Sequence, residues 1–241
     1  MKLSFVVPAF NEEKLLGSCL QSIDSAVRAN ARSDLFTETI VTDNNSTDAT
    51  SRIAKDAGAS VVFEPINQIS RARNTGANAA TGDWLVFVDA DSLLSAPLLA
   101  DLLALIDENS CIGCGSLMAM PGLPFWAQRM LGLWSALSVI CNWAAGSFIA
   151  CRAEAFRTIG GFSTELFAAE EINFSRRLKK LAKQRKQKFR ILRAHPLRTS
   201  NRKVVLYSGA EMLRTILPLL RHPAKSLKDK QYLDIWYGGR R

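Results

Sequence analysis

Four short apolar runs alternate with helical segments in this chain, and this alternation constrains its fold more than any other feature. These runs are rich in Val, Ile and Phe, and such runs are typical of buried strands. The predicted strands are Leu3–Val7, Glu38–Thr42, Ser60–Phe63 and Trp84–Val88. Between and after them, apolar spacing predicts helices around Leu15–Ile23, from a cap at Ser46 or Thr47 to Ala57, and over Ser70–Ala80 and Pro97–Asn109. The pattern predicts an α/β fold, with a mostly parallel sheet and helices on both faces.

Polar clusters follow three of the four predicted strands. Asn11 and Glu12 follow the first strand, Asp43 the second, and Asp89 and Asp91 the fourth. Ligands of parallel sheets bind at the carboxyl ends of the strands, so these clusters are expected to meet in one crevice.

The pair Asp89 and Asp91 indicates a cation site. Two carboxylates this close repel each other unless a cation lies near them. Oxygen ligands suit Mg²⁺ or Mn²⁺, which usually also contact substrate phosphates. The alternative is an ordinary strand end, with Asp91 or Ser92 capping the next helix.

In order and spacing, these motifs resemble those of glycosyltransferase family 2, whose nucleotide-sugar-binding fold is called GT-A. The motifs cover about three quarters of the chain: Val6–Glu13, Val41–Thr50, Ser70–Gly76, Val86–Asp91, Gly160–Phe162 and Glu170–Leu178.

The resemblance assigns a role to each matching residue. It implies that the nucleotide base and ribose are held by Pro8, Ala9, Asn11, Glu12 and Asp43. It places Arg71, Arg73 and Asn74 near the base and the diphosphate. A guanidinium can pair with a phosphate or fix a neighbouring carboxylate. The resemblance assigns metal binding to Asp89 and Asp91, with Asp91 as the more direct contact.

The catalytic base of the family is a carboxylate at the start of a later helix, where this chain has Glu170 and Glu171. Glu171 matches the base, although the family more often has Asp there. Both could instead simply favour a helix N-terminus. Some relatives place a metal-contacting His near the position of His195. Residues Thr199–Arg202 resemble an element of bacterial relatives for which a contact with the diphosphate or the acceptor is expected.

The implied reaction is inverting, metal-dependent transfer of a sugar from a UDP- or GDP-sugar to an acceptor hydroxyl. A nucleotidyltransferase is the first alternative, but such enzymes carry a Gly-rich basic loop where this chain has Pro8–Glu13. A nucleic-acid- or lipid-binding module using the basic tail is the second. No nucleic-acid reader motif is recognisable, so nucleic acid is not an expected partner.

The charge is distributed unevenly, although the net charge is +9. Residues 176–241 hold 20 basic and 3 acidic residues, whereas residues 1–175 hold 11 basic and 19 acidic residues. We therefore expect a catalytic domain over 1–200, with a nucleotide-binding half (1–95) and an acceptor and catalytic half (110–200). Residues 201–241 are expected to form a basic, partly helical extension with an anionic partner.

A membrane contact is also indicated by the sequence. Residues 130–151 carry no charge but include several polar residues, which favours a buried or interfacial helix followed by a core strand. With residues 123–143, the basic tail predicts a peripheral contact with anionic lipid at the cytoplasmic face, and hence a lipid-linked acceptor. The alternative is a core-packing helix with solvated charges.

Overall fold

The computed structural model describes residues 1–144, 147–202 and 227. The strands are β1 (Lys2–Ala9), β2 (Phe36–Asp43), β3 (Ser60–Phe63), β4 (Trp84–Val88), β5 (Ser92–Leu93), β6 (Cys111–Ala119), β7 (Phe148–Arg152) and β8 (Lys188–Thr199). The helices are α1 (Leu16–Ala29), α2 (Thr50–Asp56), α3 (Ile69–Ala79), α4 (Ala96–Asp107), α5 (Phe125–Cys141), α6 (Ala153–Ile159) and α7 (Glu170–Gln184).

All eight strands join one mixed, mostly parallel sheet in the order β3-β2-β1-β4-β7-β6-β8-β5. The first four strands are parallel, and Ala9 of β1 pairs with Asp43 of β2. Strand β7 then runs antiparallel to β4 and β6, while β8 runs parallel to β6. The predicted α/β class is confirmed, and four later strands (β7, β6, β8 and β5) extend the parallel sheet on the β4 side.

Helices cover both faces of the sheet. On one face, α1 and α4 bury Leu16, Leu20, Leu98 and Leu102 against β1 and β4. On the other face, α6 and α7 pack four phenylalanines together, which are Phe87, Phe156, Phe162 and Phe174. Strand β4 contacts both layers, so all five of its residues are buried, as its continuous apolar sequence predicts.

One glycine is required by the close packing of α3 on the sheet. A Cβ at Gly76 would lie 2.5 Å from Oγ1 of Thr42 and 2.6 Å from Cγ1 of Val6. Separations this short are not tolerated, so only glycine lets α3 approach β1 and β2 this closely. Gly76 thereby fixes the position of the helix that carries Arg73.

Several predicted boundaries are wrong. The second helix begins only at Thr50, and neither Ser46 nor Thr47 caps it, because the Ser46 hydroxyl accepts a bond from the amide of Asn11 instead. Helix α4 is capped by Ser95, not by Asp91 or Ser92. Strand β8, for which no bounds are predicted above, runs through Pro196, where the missing N–H is tolerated because pairing with β6 is interrupted between Leu192 and Leu197.

The uncharged segment forms the predicted helix and strand, α5 and β7. Among the described residues, no helix combines the length and the apolar character that crossing a membrane requires. The predicted tail helix and nearly all of the predicted extension lie outside the described residues, as do Ala145 and Gly146.

Candidate active site

The carboxyl ends of β1, β2 and β4 lie side by side, and their polar residues meet there. Asp43 ends β2 beside Ala9, and Asp89 follows β4 directly. Pro8 and Ala9 are buried at the end of β1, where they can offer backbone groups to a ligand. The predicted convergence of the strand-end clusters is present in the structure.

Residues Asn11 and Glu12 connect the first loop to the second. The Oδ1 atom of Asn11 accepts a hydrogen bond from the amide of Thr47 at 2.8 Å, and the Asn11 backbone is left-handed with φ of 51°. The amide of Glu12 donates to Oγ1 of Thr50 at 2.8 Å. Asn11 therefore shapes the crevice through the loop, because its side-chain oxygen is used inside the protein.

Asp43 is nearly buried, and its carboxylate accepts the amide of Ser46 at 2.9 Å. The next residue, Asn44, binds the carbonyls of Glu64 and Ile66 and accepts the amide of Gln68. These bonds tie the ends of β2 and β3 to the start of α3. They hold the edge of the crevice in place.

Gln68 is a buried residue that sequence reasoning missed. Its Nε2 donates to the carbonyls of Thr164 and Leu166 at 2.9 and 3.0 Å, and its Oε1 accepts Nε of Arg71. It thus joins α3 to the loop before α7. A lone Gln before a helix carries no spacing signal, so this role could not be found from the sequence.

Asn74 also supports that loop. Its amide donates to the carbonyl of Phe162 at 2.9 Å and accepts the amide of Phe162 at 2.8 Å. Both polar ends of the side chain are therefore used inside the protein. Asn74 thus has a structural role here, and its contact with the nucleotide stays a prediction.

Arg73 is the centre of the site. Its side chain is 1% exposed and binds three carboxylates, with Asp89 at 3.0 Å, Glu170 at 3.0 Å and Glu171 at 3.1 Å. The Phe162 ring lies under the guanidinium, 5.2 Å from Cζ to the ring centroid, and stacks on Phe174 at 4.1 Å. Of the two predicted uses of this guanidinium, the structure shows the fixing of neighbouring carboxylates.

The electrostatics differ among the members of this cluster. Burial opposes the charge of Arg73, but Asp89, Glu171 and Glu170 outweigh it and hold the Arg73 pKa above its usual value. Burial, together with the charge of Glu171, raises the pKa of Glu170 well above its usual range despite Arg73. Burial therefore favours the protonated form of Glu170. Glu171, with a side chain 17% exposed, is the one that faces the crevice.

Asp91 provides oxygen ligands suited to a divalent cation. The hydroxyls of Ser92 and Thr199 lie 3.4 Å from its Oδ1, and its carbonyl accepts the amide of Ser200. Over the part of the chain that the structure describes, no three His, Cys, Asp or Glu side chains form a complete metal cage. Mg²⁺ and Mn²⁺ are usually held by one or two carboxylates together with substrate phosphates, so Asp89 and Asp91 fit such an ion.

A cavity of about 350 Å³ adjoins Asp91. Its lining includes Ser18 and Pro121 and the segment from Arg198 to Asn201. Next to it, Nη2 of Arg202 donates to Oε1 of Glu12 at 2.8 Å. The segment Thr199–Arg202 therefore lies beside the acidic pair, and Glu12 binds an arginine of the chain itself.

The structure does not bring His195 to the acidic pair. Its Nδ1 lies 2.9 Å from Oδ2 of Asp101 on α4. Along β8, His195 is four residues before Thr199, a distance of about 13 Å in an extended strand. In this structure His195 contacts Asp101 of α4, and its metal contact stays a prediction.

Comparison with known proteins agrees with this architecture. The model of the family described as "Glycosyl transferase family 2" matches residues 4–161. An uncharacterized glycosyltransferase of Mycobacterium tuberculosis is 33% identical over 129 residues, which are 53% of this chain and 55% of that protein. The match thus spans about half the length of this curated relative.

Solved structures share the fold over nearly the whole chain. The mannosyltransferase PcManGT from Pyrobaculum calidifontis, in complex with GDP-Man and Mn²⁺, superposes with a TM-score of 0.69 at 22% identity, covering 94% of this chain and 64% of that one. Staphylococcus aureus TarS in complex with UDP-GlcNAc gives 0.64 at 21% identity, covering 100% and 74%. At this identity they show the fold alone. Since the family match covers more than half of the chain, this protein belongs to glycosyl transferase family 2.

Proposed function

We propose that this protein transfers a sugar from a nucleotide-sugar donor to a hydroxyl of an acceptor, with inversion at the anomeric carbon. One observation carries the proposal: the carboxylate after β4 and the first-turn carboxylates of α7 share a single buried guanidinium. A donor-binding edge and a proton acceptor are thereby held at fixed positions in one crevice.

The nucleotide lies, on this proposal, across the ends of β1 and β2. The backbone at Pro8 and Ala9 and the carboxylate of Asp43 are suited to a base and ribose, because these ligands present amide and hydroxyl groups. Arg71 is half-buried at the start of α3, close to the same edge. UDP- and GDP-sugars are both candidate donors.

Glu171 is the proposed base. Its carboxylate accepts the proton of the acceptor hydroxyl while the acceptor oxygen bonds to the anomeric carbon. The bond between that carbon and the diphosphate oxygen breaks, and its electron pair leaves with the nucleoside diphosphate. Asp89 and Asp91 would hold Mn²⁺ or Mg²⁺, which supplies positive charge for the departing diphosphate. Arg73 holds the Glu171 carboxylate in position for this step.

The segment Thr199–Arg202 is proposed to contact the diphosphate or the acceptor. It lines the cavity beside Asp91, and Arg198 and Ser200 offer groups that bind phosphate oxygens well. The acceptor itself is proposed to be lipid-linked, at the cytoplasmic face of a membrane.

Donor binding tests the cation part of this proposal. We expect UDP or GDP to raise the Tm of the protein much more with Mn²⁺ than without it, since a ligand of the native state stabilises it by mass action. Asp91→Asn should lose the Mn²⁺-dependent part of that shift. Asp101→Asn, the same substitution on α4 beside His195, is the matched control and should keep it.

An unchanged Mn²⁺-dependent shift in Asp91→Asn would contradict the assignment. A loss in both variants would contradict it as well, because Asp101 lies away from the crevice. Release of pyrophosphate rather than a nucleoside diphosphate during turnover would favour the nucleotidyltransferase alternative.

A further inference from the structure

Helix α5 leaves a continuous apolar stripe in contact with solvent. The stripe follows the 4-3-4-3 spacing of one helix face, and the exposed fractions of its residues run from 40% at Leu137 to 78% at Ile140. We call this the α5 stripe; it comprises Trp126, Met130, Leu133, Leu137 and Ile140. An exposed apolar surface four turns long normally marks a contact with another molecule or a membrane.

A basic stripe lies beside one end of the α5 stripe. Its residues are spaced three, one and three apart, so they share one face of α7. We call this the α7 stripe; it comprises Arg176, Lys179, Lys180 and Lys183. Nζ of Lys179 donates to the carbonyl of Cys141, the last residue of α5, and Oγ of Ser175 accepts the amide of Ala144. These two bonds place the α7 stripe against the C-terminal end of α5.

Acidic residues are absent from the sequence around both stripes. None occurs in residues 109–153 or 172–202. Within the described residues, the four basic side chains of the α7 stripe form no ion pair with a carboxylate, whereas Arg185 at the end of α7 pairs with Glu154. The surface therefore combines apolar area with unbalanced positive charge.

This combination selects among the possible occupants. A second copy of this chain would add no carboxylate from these two segments, so the positive charge of the α7 stripe would stay unbalanced. The remaining tail, residues 203–241, has eight basic and three acidic residues, so it also carries the same sign. An anionic bilayer offers both apolar depth and negative charge, and Trp and Phe favour its interface.

We propose that the α5 and α7 stripes together bind the surface of an anionic lipid bilayer. Both helices begin at the crevice: α7 starts with Glu170 and Glu171, and Pro121, in the loop before α5, lines the cavity at Asp91. Docking through these stripes holds the crevice close to the lipid head groups. Resting on the proposed function, this presents a lipid-linked hydroxyl to Glu171.

Vesicle flotation with the full chain tests the surface without needing donor, cation or turnover. The vesicles are phosphatidylcholine alone, or phosphatidylcholine with about a third phosphatidylglycerol. We expect flotation with the anionic vesicles only, weakening at high salt because screening reduces the attraction to the α7 stripe.

Two double variants with matched controls identify the contact. Leu133→Gln/Ile140→Gln should reduce binding about tenfold or more, since two apolar side chains no longer enter the interface. Phe36→Gln/Phe63→Gln removes two equally exposed apolar side chains from β2 and β3 and should bind as wild type. Lys180→Gln/Lys183→Gln should weaken binding about tenfold. Lys14→Gln/Lys55→Gln, on the far side of the fold, should not.

Wild-type flotation by the α5 and α7 variants would overturn the proposal, as would absence of binding or equal binding to neutral vesicles. A dimer in solution that dissociates in the α5 variant, without vesicle binding, would assign the stripe to a second copy. Asp91→Asn should still float normally. If this variant floats normally while the donor-binding test contradicts the cation site, the membrane proposal is supported and the proposed function is rejected.

Discussion

The two halves of the sheet are built on different principles. In the parallel half, formed by β1–β4 and α1–α3, strand and helix alternate and each polar cluster follows its own strand. In the mixed half, formed by β6–β8 and α5–α7, neighbouring strands run in both directions and the site residues come from a loop and a helix start. In the first arrangement, topology positions the proposed donor site. In the second, side-chain contacts over long sequence distances position the proposed base.

Arg73 connects the two arrangements. It lies on α3 of the parallel half, yet two of its three carboxylate partners belong to α7 of the mixed half. Gln68 and Asn74, on either side of it, also bind the mixed half, at Thr164, Leu166 and Phe162. Helix α3 thus joins the proposed donor-binding edge to the proposed catalytic base.

The largest expected effect separates catalysis, which depends on the mixed half, from donor binding. Glu171→Gln should lower kcat by about 10²- to 10⁴-fold, because the amide cannot accept the acceptor proton. Donor affinity, which depends on the parallel half, should change little. The measurement is nucleoside-diphosphate release together with the Mn²⁺-dependent Tm shift. Glu171→Asp, which shortens the side chain by one methylene, should retain more kcat than the Gln variant. A kcat near the wild-type value in Glu171→Gln would show that Glu171 is not the catalytic base.

Replacing Arg73, which joins the two halves, should lower the stability of the protein. Arg73→Met leaves the carboxylates of Asp89, Glu170 and Glu171 without their shared cation, and losing one partner of a buried ion pair costs about 3–5 kcal/mol of the free energy of unfolding. Denaturant unfolding measures this loss. Arg71→Met is the matched control on the same helix, where one hydrogen bond to Gln68 costs about 1 kcal/mol. Equal losses in the two variants would contradict the central role of Arg73.

A smaller effect is expected in how the stability of the two halves depends on pH. The raised pKa of Glu170 means that the folded state binds a proton that the unfolded state releases above its ordinary pKa. Wild-type stability should therefore fall, relative to Glu170→Gln, as pH rises above the ordinary carboxyl pKa of 4.5. Glu38 in the parallel half behaves oppositely. Burial opposes its charge, but hydrogen bonds from Lys2, Ser4 and Thr81 lower the Glu38 pKa to about 2.

Glu38 provides the contrasting variant. Its contribution to stability is present above its ordinary pKa and is lost as pH falls towards about 2. Glu38→Gln should therefore be less stable than wild type at neutral pH, with the difference shrinking in acid. Unfolding curves across this pH range check both signs. A parallel pH response of the two variants would contradict the assignment of Glu170 as protonated.

The parallel half could be predicted well from sequence because its signals are local. The strands Ser60–Phe63 and Trp84–Val88 have the predicted bounds, and the clusters at Asp43 and Asp89 meet as expected. The mixed half could not, since nothing local to Asn74 or Gln68 indicates that each binds a loop about 90 residues further on. The contact of His195 could not be predicted for the same reason, since its partner, Asp101, lies on α4.

The cluster around Arg73 also has a consequence for how ligands enter. Three carboxyl groups, those of Asp89, Glu170 and Glu171, share the one guanidinium of Arg73. A diphosphate ester is itself an anion, so this acidic cluster repels it. One divalent ion cancels the excess, and we expect donor and cation to load as a pair, with neither saturating the protein well alone.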